Sequence, residues 1–554
     1  MTLFSSHHRD DIFANLKSGP LDVLVIGGGI TGAGISLDAV TRGLKTGLVE
    51  MQDFSAGTSS RSTKLVHGGL RYLQQFEVKM VAEVGRERAI VFENGPHVTT
   101  PEWMLLPFHK GSTLRPLTSN IGLRVYDFLA GVKKKERRLM FSPEEVLKKE
   151  PLIKRDGLRG GGYYVEYKTD DARLTIEVLK KAVEHGVHAV NYAKAIEFIY
   201  DEAKIVCGVV VKDQISGELI PIYAKKVINA GGPWVDSLRK LDGSNLGKSL
   251  YLTKGVHLVF SKDTFPLKQA IYFDAPDGRM IFAIPRENKT YVGTTDTAYD
   301  DNLENPLMTE EDRDYLLDAI HYMFPMITVN AENVESSWVG LRPLIAENGA
   351  DNPSEISRKD EIFISNSGLI SMAGGKLTGY RKMAEQVVDT IVNQLKEEEG
   401  ILYSKSDTKH LPISGGDVGG SMGFENFKKL KLENGISLGI ENEIAAQIIQ
   451  RYGSNVDTLF NIYQKCKDEA AKEMIDPIVF AELNYTIEHE MAYKPADFFI
   501  RRTGALYFNR EWVEKHQRHV MNYMAKKLKW NKKQKDDYSA ELKQLIHEAV
   551  TPIK

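Results

Sequence analysis

The stretch LDVLVIGGGITGAGISLDAVTRGLKTGLVE (Leu21–Glu50) decides the fold, because its hydrophobic pattern changes twice along its length. Leu21 to Ile26 is a short apolar run that is typical of a buried parallel strand. Glycines interrupt this run, after which Ile30 to Arg42 can form a helix and Thr46 to Glu50 a second strand. The order of strand, tight turn, helix and strand predicts an α/β domain.

The glycines of this stretch form a G-x-G-x-x-G motif at Gly27, Gly29 and Gly32. Such glycines let the backbone turn tightly and approach a pyrophosphate, whose charge meets the free N–H groups of the helix N-terminus. Glu50 lies 18 residues beyond Gly32, at the end of the next strand, where a carboxylate can bind a ribose hydroxyl. The motif predicts a dinucleotide site but does not distinguish NAD from FAD.

The composition limits the class of protein. A chain of 554 residues is too long for one ordinary core, so we expect two or three domains. The formal net charge of −3 argues against nucleic acid as a partner, because nucleic-acid binding needs a surplus of Lys and Arg. Cys207 and Cys466 are far apart and have no CxxC or CxxH neighbour, so we expect no metal site and no disulfide framework. Few cysteines in a long chain suit the cytosol.

The apolar segments do not predict a membrane span. The amino-terminal residues MTLFSSHHRDDIFANLK lack the apolar region of a signal peptide. The most apolar run, VLVIGGGITGAGISL, is glycine-rich and shorter than a membrane span. Any membrane contact is therefore expected to be peripheral.

The rest of the chain predicts further layers. From about Arg159 we expect a linker, then a helix near Asp171 to Glu184 and further strands. The runs GVHLVF, MIFAIPR and TYVGTTD indicate an antiparallel sheet that forms a second layer over a substrate. GGKLTGYRKMAEQVVDTIVNQL returns to a glycine turn and a helix. After the loop KSDTKHLPISGGDVGGSMG the chain is charged and mostly helical.

Three stretches favour FAD over NAD. AGTSSRSTKLVHGG (Ala56–Gly69) is rich in small and hydroxyl residues, which suit phosphates and a flat ring. VINAGGPW (Val227–Trp234) is an apolar strand that ends in small residues, as needed where a backbone passes a nucleotide. MAGGKLTGYRK (Met372–Lys382) puts two glycines before a helix start, where N–H groups can face a flavin.

With these motifs the sequence resembles the FAD-dependent, quinone-linked glycerol-3-phosphate dehydrogenases. The resemblance rests on IGGGITGAG, SSRSTKLVHGGLRYL, TDDARL, NAGGPWVD, TKGVHLV, VGTTDT, GLRPL, AGGKLTGYRKMAE and PADFFIRRTGAL, which together cover most of the chain. It implies an α/β plus α architecture. A Rossmann-like FAD-binding domain of the glutathione reductase or amino-acid oxidase type is interrupted by an antiparallel-sheet substrate domain and followed by a helical C-terminal domain.

The implied domain bounds alternate along the chain. The FAD-binding domain is expected to comprise residues 17–95, 161–240 and 346–398. The substrate domain is expected to comprise residues 96–160 and 241–345, and the helical domain residues 410–554.

The resemblance and the motifs together give a set of FAD contacts. His67, beside a Gly-Gly pair, is expected to contact the cofactor rather than to act as a base. The full predicted set is Gly27, Gly29, Ile30, Thr31, Gly32, Glu50, Thr58, Ser59, Ser62, Lys64, Leu65, His67, Gly68, Gly69, Ala195, Ala230, Gly231, Trp234, Gly374, Gly375, Lys376, Leu377 and Thr378.

The resemblance also implies the substrate site. A phosphomonoester needs Arg or Lys in good geometry. By similarity, Arg71 and Tyr72 lie near the phosphate with Thr295 as a helper, and Arg358 adds positive charge. Arg342 and Lys376 are expected to hold the reacting oxygen, and Arg381 is a further candidate cation.

His257 is the preferred general base, since its ordinary pKa lies near working pH. The alternative is a structural role, in which the His257 side chain lies in a strand and is hydrogen-bonded to the backbone. Arg342 could instead be the dominant group, by lowering the pKa of the substrate hydroxyl. Asp170 and Asp171 in TDDARL are interpreted as helix-capping residues.

The implied activity is oxidation of sn-glycerol 3-phosphate to dihydroxyacetone phosphate by hydride transfer to FAD N5, with a membrane quinone as acceptor. The expected protein is a cytoplasmic homodimer in peripheral contact with the inner face of the cell membrane. The segment HVMNYMAKKLKWNKKQK could lie on anionic lipid, but charged runs are usually only solvated, so no membrane contact is assigned to it. The alternatives are a glycerol-3-phosphate oxidase that uses O2, an FAD amine or amino-acid oxidase, an NAD-dependent dehydrogenase and a non-catalytic nucleotide-binding module.

Overall fold

The computed structural model of the chain describes residues 4–67, 78–111, 136–347, 360–374 and 376–554. These residues form two sheets, with helices around them, and a helical region after residue 420.

Within the described ranges the first sheet has eight strands. Six of them follow one another in the order Glu361–Ile364, Ile370–Ala373, Leu219–Asn229, Leu21–Ile26, Thr46–Val49 and His188–Val190. Leu21–Ile26 pairs in parallel with both of its neighbours, and its residues Leu21, Val23, Leu24 and Val25 are fully buried. The predicted parallel strand and its successor are therefore confirmed. Two further strands, Ala193–Tyr200 and Val206–Asp213, extend the sheet through the first half of Leu219–Asn229.

Helices cover this sheet. Ile30–Thr41 packs between Asp171–Glu184 and Tyr380–Glu399. One face of Tyr380–Glu399 is fully buried, as its 3.6-residue periodicity predicts, through Met383, Val387, Val388, Ile391 and Leu395. Three shorter or peripheral helices are Arg9–Lys17, Val78–Asn94 and Val235–Leu241.

The second sheet has ten strands in the part of the chain that is described. Eight run in the order Thr297–Ala298, Lys248–Ser261, Lys289–Gly293, Met280–Arg286, Ala270–Asp274, Thr99–His109, Leu158–Thr169 and Leu65–Val66. Ser336–Glu347 pairs with Lys248–Ser261, and Leu139–Phe141 pairs with Leu158–Thr169. The antiparallel pairing predicted for GVHLVF, MIFAIPR and TYVGTTD is confirmed. Helices Glu310–Met323 and Pro143–Lys149 flank the sheet.

The interpretation of the residues from Arg159 as a linker is wrong. Leu158–Thr169 is a strand that pairs along its length with Thr99–His109. The glycines suggested a loop, but they serve close packing within the sheet. A Cβ on Gly160, whose φ is +128°, would lie 2.5 Å from the Phe141 carbonyl oxygen. The predicted boundary between residues 160 and 161 falls within this strand, and the domain bounds otherwise remain predictions.

The C-terminal region is helical, as predicted. Its helices are Gly420–Ser437, Asn442–Tyr452, Val456–Lys472, Pro477–His489, Ala505–Phe508, Arg510–Lys527 and Lys532–Glu548, with a π-helical turn at Asp497–Arg502. One hydrophobic core joins these helices to one face of the second sheet, where Tyr291 and Trp338 pack against Phe508. The helical region therefore packs directly against the second sheet and shares a hydrophobic core with it.

Candidate functional site

A cavity of about 530 Å³ opens at the carboxyl ends of the parallel strands of the first sheet. This is the edge at which α/β sheets bind nucleotides. Fourteen of the predicted FAD contacts line it: Gly27, Gly29, Ile30, Thr31, Glu50, Thr58, Ser59, Ser62, Ala195, Ala230, Gly231, Trp234, Gly374 and Leu377. These fourteen residues come from five separate parts of the sequence, and Pro343 adds a sixth.

The glycine turn leaves no room for side chains. Gly27 has a φ of +114°, and a Cβ there would lie 2.5 Å from the carbonyl oxygen of Ala230. A Cβ on Gly32 would lie 1.9 Å from the carbonyl oxygen of Gly27, so Gly32 does not face the cavity but lets the helix start against the turn. Both positions need glycine for steric reasons.

The first turn of helix Ile30–Thr41 faces the cavity without a side-chain cap of its own. The Ile30 N–H donates to Ser59 Oγ at 2.9 Å, which ties the hydroxyl-rich segment to the helix start. Thr58 Oγ1 in turn donates to the Leu341 carbonyl oxygen at 2.7 Å, in the second sheet. N–H groups and hydroxyls gathered at a helix N-terminus fit the pyrophosphate of a dinucleotide.

Glu50 is held at the end of its strand by the backbone. Its Oε2 accepts from Gly28 N at 2.6 Å and its Oε1 from Gln52 N at 2.7 Å. Burial raises the pKa of this carboxyl group, and these two N–H donors oppose that rise. The carboxyl group lines the cavity as predicted, where a ribose hydroxyl can reach it.

Six other predicted FAD contacts are described but do not line the cavity: Gly32, Lys64, Leu65, His67, Lys376 and Thr378. Leu65 is buried in the second sheet. Burial lowers the pKa of His67, and its carbonyl oxygen accepts from Thr378 Oγ1 at 3.1 Å. Lys376 precedes the turn Leu377–Gly379. Gly68, Gly69 and Gly375 lie outside the described residues.

Lys64 faces away from the cavity towards a buried carboxylate. Its Nζ donates to Asp171 Oδ1 at 2.6 Å and to the Ser60 carbonyl oxygen at 3.0 Å. Asp171 Oδ2 also accepts from Ser62 N at 3.0 Å and Ser62 Oγ at 2.7 Å. Asp170 caps the helix through Arg173 N at 3.0 Å, as predicted. Asp171 lies in the first turn and accepts from Ala172 N at 3.0 Å, and it also anchors the segment that lines the cavity. No local pattern in TDDARL predicts that Asp171 binds Lys64 and Ser62.

Replacing Asp171 with Ala is expected to destabilise the protein by about 3–5 kcal/mol, because the Lys64 ammonium would remain buried without its anion. The thermal midpoint of unfolding, followed by flavin fluorescence, measures this. The Lys64→Met, Asp171→Ala double variant should recover part of the loss, since it leaves no unpaired charge. Lys526→Met, which removes an exposed pair with Glu473, is the control and should leave the midpoint unchanged. A midpoint for Asp171→Ala equal to that of wild type would contradict this assignment.

His257 lies in the second sheet, close to the cavity. Its Nε2 is 3.0 Å from the hydroxyl of Thr63, which follows the cavity residue Ser62. Its ring stacks on Trp338 at 4.7 Å between centroids. Its Nδ1 is buried without a hydrogen-bond partner among the described residues. Burial lowers the pKa of His257 well below its ordinary value, and Arg342 and Lys64 lower it further, so the imidazole is neutral.

Arg342 precedes the cavity residue Pro343 and is held by one turn. Its Nη2 donates to Thr294 Oγ1 at 2.9 Å, and its Nη1 donates to the Thr295 carbonyl oxygen at 3.1 Å and to Asp296 Oδ1 at 3.0 Å. The Thr295 hydroxyl is itself occupied, since it accepts from Val256 N at 3.0 Å. Thr295 thus positions Arg342 through its backbone.

Turns next to strands of the second sheet supply residues that the sequence did not single out. Thr63 orients His257, while Thr294 and Asp296 fix Arg342. Each partner is far away in the sequence or belongs to a turn of ordinary composition, so only the sheet pairing reveals it. Arg71, Tyr72 and Arg358 lie outside the described residues.

Arg381 is not a substrate cation. Its guanidinium is bidentate to Glu87, at 2.7 and 2.6 Å, and also pairs with Glu385 at 2.7 Å. It is buried in this cluster, where it joins two helices.

The parallel sheet, the glycine turn and the cavity lined by Glu50, with a histidine and an arginine next to residues of its wall, define a dinucleotide-dependent oxidoreductase. The comparison with known families identifies the class more closely. The FAD dependent oxidoreductase family matches residues 22–381, and the family described as the C-terminal domain of alpha-glycerophosphate oxidase matches residues 406–535. This chain therefore belongs to the FAD dependent oxidoreductase family, and its cofactor is FAD.

Individual relatives are similar over the whole chain. An aerobic glycerol-3-phosphate dehydrogenase of Bacillus subtilis (strain 168) is 59% identical over 100% of this chain and 99% of its own. A glycerol-3-phosphate dehydrogenase from Bacillus halodurans, solved by X-ray diffraction in complex with FAD, is 47% identical with a TM-score of 0.87, over 100% of this chain and 99% of its own. These similarities confirm the family resemblance seen in the sequence.

A more distant structure shares the fold. The L-alpha-glycerophosphate oxidase from Mycoplasma pneumoniae with FAD bound is 16% identical, with a TM-score of 0.55 over 70% of this chain and 97% of its own. Separately, none of the helices in the described parts of the chain is both long and apolar enough to cross a membrane.

Proposed function

We propose that the protein oxidises sn-glycerol 3-phosphate to dihydroxyacetone phosphate and that a membrane quinone receives the electrons. The proposal rests on the neutral His257 and on Arg342, whose guanidinium is held in place by hydrogen bonds. His257 is hydrogen-bonded to Thr63, which follows the cavity residue Ser62, and Arg342 precedes the cavity residue Pro343. The substrate is inferred from relatives that are named aerobic glycerol-3-phosphate dehydrogenase and that match the chain from end to end.

Oxidation of a secondary alcohol removes a proton from oxygen and a hydride from carbon. FAD, when bound, supplies the hydride acceptor at N5. His257 takes the hydroxyl proton, because its imidazole is neutral, Thr63 holds its Nε2, and its Nδ1 has no hydrogen-bond partner among the described residues. Arg342 stabilises the negative charge that develops on the same oxygen. The rest of the anion site is proposed to comprise Lys376, Arg71, Tyr72 and Arg358. Thr295 is proposed to position Arg342.

Replacing Arg342 with Met is expected to lower kcat/KM for glycerol 3-phosphate by about 100-fold, the size of effect seen when one preorganised donor to an oxyanion is removed. Arg342→Lys should fall between, since it keeps the charge but loses the fork that binds Thr294, Thr295 and Asp296. Steady-state kinetics with a dye acceptor measure both. Arg313→Met, which removes a pair with the adjacent Asp314 in the first turn of helix Glu310–Met323, is the control. A value for Arg342→Met within fivefold of wild type would refute its role.

The acceptor and the location are also proposals. A quinone in the bilayer places the protein in peripheral contact with the inner face of the cell membrane, in the cytoplasm. The family resemblance further implies a homodimer. The basic C-terminal segment does not by itself support membrane docking. Lys527 lies 3.3 Å from Glu488, Lys526 pairs with Glu473, and Trp530 packs edge-on against Tyr538 at 4.9 Å. The quinone is inferred from the word aerobic and the word dehydrogenase in the names of the relatives.

Oxygen is the second candidate acceptor. One observation favours it: the family that matches residues 406–535 is named after an alpha-glycerophosphate oxidase. The experiment is to assay glycerol 3-phosphate, glycerol and glycine with a water-soluble quinone without oxygen, and with oxygen while hydrogen peroxide is measured. The proposal expects turnover with glycerol 3-phosphate and quinone only. Rapid formation of hydrogen peroxide would show that oxygen, and not quinone, is the electron acceptor. Turnover of glycine would show that the protein is an amino-acid oxidase.

A further inference from the structure

A buried cluster of charges joins the FAD-binding sheet to the C-terminal helices. Asp53, which is 1% exposed, lies in the loop after strand Thr46–Val49. Its Oδ2 accepts from Arg501 Nε at 2.5 Å and from Arg502 Nη1 at 2.7 Å. Its Oδ1 accepts from Arg502 Nη2 at 2.9 Å. One carboxylate of the cofactor domain thus binds two consecutive arginines that are about 450 positions away in the sequence.

The loop that carries Asp53 lines the FAD cavity. Glu50, Met51, Gln52, Ala56 and Gly57 all face it, on either side of Asp53. The path of this loop therefore decides where the cavity wall lies.

Hydrogen bonds connect Asp53 to the glycine turn. The Asp53 carbonyl oxygen accepts from Ala56 N at 3.1 Å, and the next residue back, Ser55, donates through N to the Gly28 carbonyl oxygen at 3.0 Å. Gly28 N in turn donates to Glu50 Oε2 at 2.6 Å. A displacement of Asp53 would therefore be passed to the residues that meet the ribose and the pyrophosphate.

Arg501 and Arg502 are also held in place by residues of the C-terminal region. They end the π-helical turn Asp497–Arg502, a local geometry that is rare and often occurs at functional sites. Arg501 Nη2 donates to Asp497 Oδ1 at 2.5 Å, and Arg502 Nη2 donates to the Glu490 carbonyl oxygen at 2.7 Å. The C-terminal region thus presents a preformed pair of guanidinium groups to Asp53.

The charge state of the cluster is settled by its geometry. Burial alone would raise the pKa of Asp53, but Arg502 and Arg501 outweigh it and lower the pKa to about 2. Asp53 is therefore an anion at every pH at which the protein works. A buried ion pair contributes little net stability but constrains geometry, because each charge must find its partner.

We propose that Arg501 and Arg502 are positioning residues of the FAD site, and that docking of their π-helical turn on Asp53 sets the loop Glu50–Gly57 and thereby the affinity for FAD. Binding of FAD and seating of the C-terminal helices are then coupled, and each favours the other by the same factor. This inference concerns the cofactor alone, so it stands or falls independently of the substrate and the electron acceptor.

The alternative is that the cluster only holds the protein together. The chain offers a matched control at the same interface. Arg173, which is 1% exposed, is bidentate to Glu490 at 2.7 and 2.9 Å, and so also joins the cofactor domain to the C-terminal helices. It makes no bond to the loop Glu50–Gly57 among its described contacts. Glu490 also holds Arg502, chiefly through its backbone carbonyl oxygen at 2.7 Å, and loss of the Arg173 side chain leaves that bond in place. Loss of Arg173 should therefore weaken the junction without moving the cavity wall.

The test is the FAD dissociation constant of apoprotein, measured by flavin fluorescence at a temperature at which circular dichroism shows every variant folded. Arg502→Met and Arg501→Met are expected to raise the dissociation constant at least about tenfold. Arg173→Met is expected to lower the thermal midpoint of the apoprotein comparably but to leave the dissociation constant within about threefold of wild type. Equal dissociation constants for Arg502→Met and Arg173→Met would overturn the proposal.

A milder variant covers the case in which Arg502→Met or Arg501→Met does not fold. Arg502→Lys keeps the charge but cannot donate to both oxygens of Asp53 at once. This variant should fold and should bind FAD about threefold more weakly, or weaker still. Because bound FAD raises the thermal midpoint by an amount that depends on its affinity, the difference between the midpoints with and without FAD should be smaller than in wild type. Wild-type affinity and an unchanged difference between the midpoints in Arg502→Lys would also overturn the proposal.

Discussion

Replacing His257 with Gln is expected to lower kcat/KM for glycerol 3-phosphate by about 100- to 10,000-fold, the range for a lost general base. Gln keeps a hydrogen-bonding group for Thr63 and a similar volume against Trp338, so the fold and the yellow colour should remain. The loss then reports proton transfer and not packing. Steady-state kinetics on protein with its full complement of flavin measure it.

The pH profile separates His257 from the substrate. Burial, Arg342 and Lys64 lower the pKa of His257 well below 6.5, so the accepting form is present at neutral pH and is lost only as the pH falls through that lowered value. The substrate phosphate ionises near pH ~6. A decline near that pH should therefore persist in His257→Gln, whereas the decline at lower pH should disappear.

The control for His257 is His321, whose ring is hydrogen-bonded to a backbone carbonyl oxygen. His321 Nε2 lies 2.7 Å from the Val329 carbonyl oxygen, at the end of a helix beside the second sheet. His321→Gln should leave both the rate and the pH profile unchanged. A rate within fivefold of wild type for His257→Gln would move the chemistry to Arg342, which would then act by lowering the pKa of the substrate hydroxyl.

Replacing Gly32 with Ala is expected to remove the flavin. The new Cβ would lie 1.9 Å from the Gly27 carbonyl oxygen, which real atoms do not tolerate, so the turn must open. Opening the turn moves the N–H groups that meet the pyrophosphate. We expect FAD affinity to fall more than about 100-fold, equivalent to ~3 kcal/mol. The ratio of flavin absorbance to protein absorbance after gel filtration measures it.

Gly379→Ala is the matched control for this change. No atom of the described residues lies within 4 Å of a Cβ built on Gly379, and its φ of −93° is open to any residue. This variant should purify yellow, with FAD bound as in wild type. A yellow Gly32→Ala protein with full flavin content would show that the turn adapts and that its shape does not decide cofactor binding.

The parts of the fold that follow from local chemistry could be predicted from the sequence. A buried run, a glycine turn and a helix start near Gly27 are properties of neighbouring residues, and the structure has them where the pattern puts them. Fourteen residues of the predicted FAD set also line one cavity, but that set is drawn from the family resemblance as well as from local motifs. The linker at Arg159 was wrong because glycines in a strand resemble a loop until the partner strand is known.

The partners of buried charges could not be predicted. Lys64 has the sequence context of a phosphate ligand, but its partner is Asp171, 107 positions further on. Arg381 stands beside a predicted flavin turn but pairs with Glu87, 294 positions back. Such pairs are decided by which helices and strands meet, and no spacing in a single sequence encodes that.

The central claim is that this FAD enzyme takes its electrons from glycerol 3-phosphate. The most direct measurement is to mix the purified yellow protein with glycerol 3-phosphate in the absence of oxygen and follow the flavin absorbance. Glycerol 3-phosphate should bleach the flavin rapidly, and glycerol and glycine should not bleach it, because the phosphate is required for binding. A yellow protein that glycerol 3-phosphate leaves unbleached would contradict the account, although the FAD fold would stand.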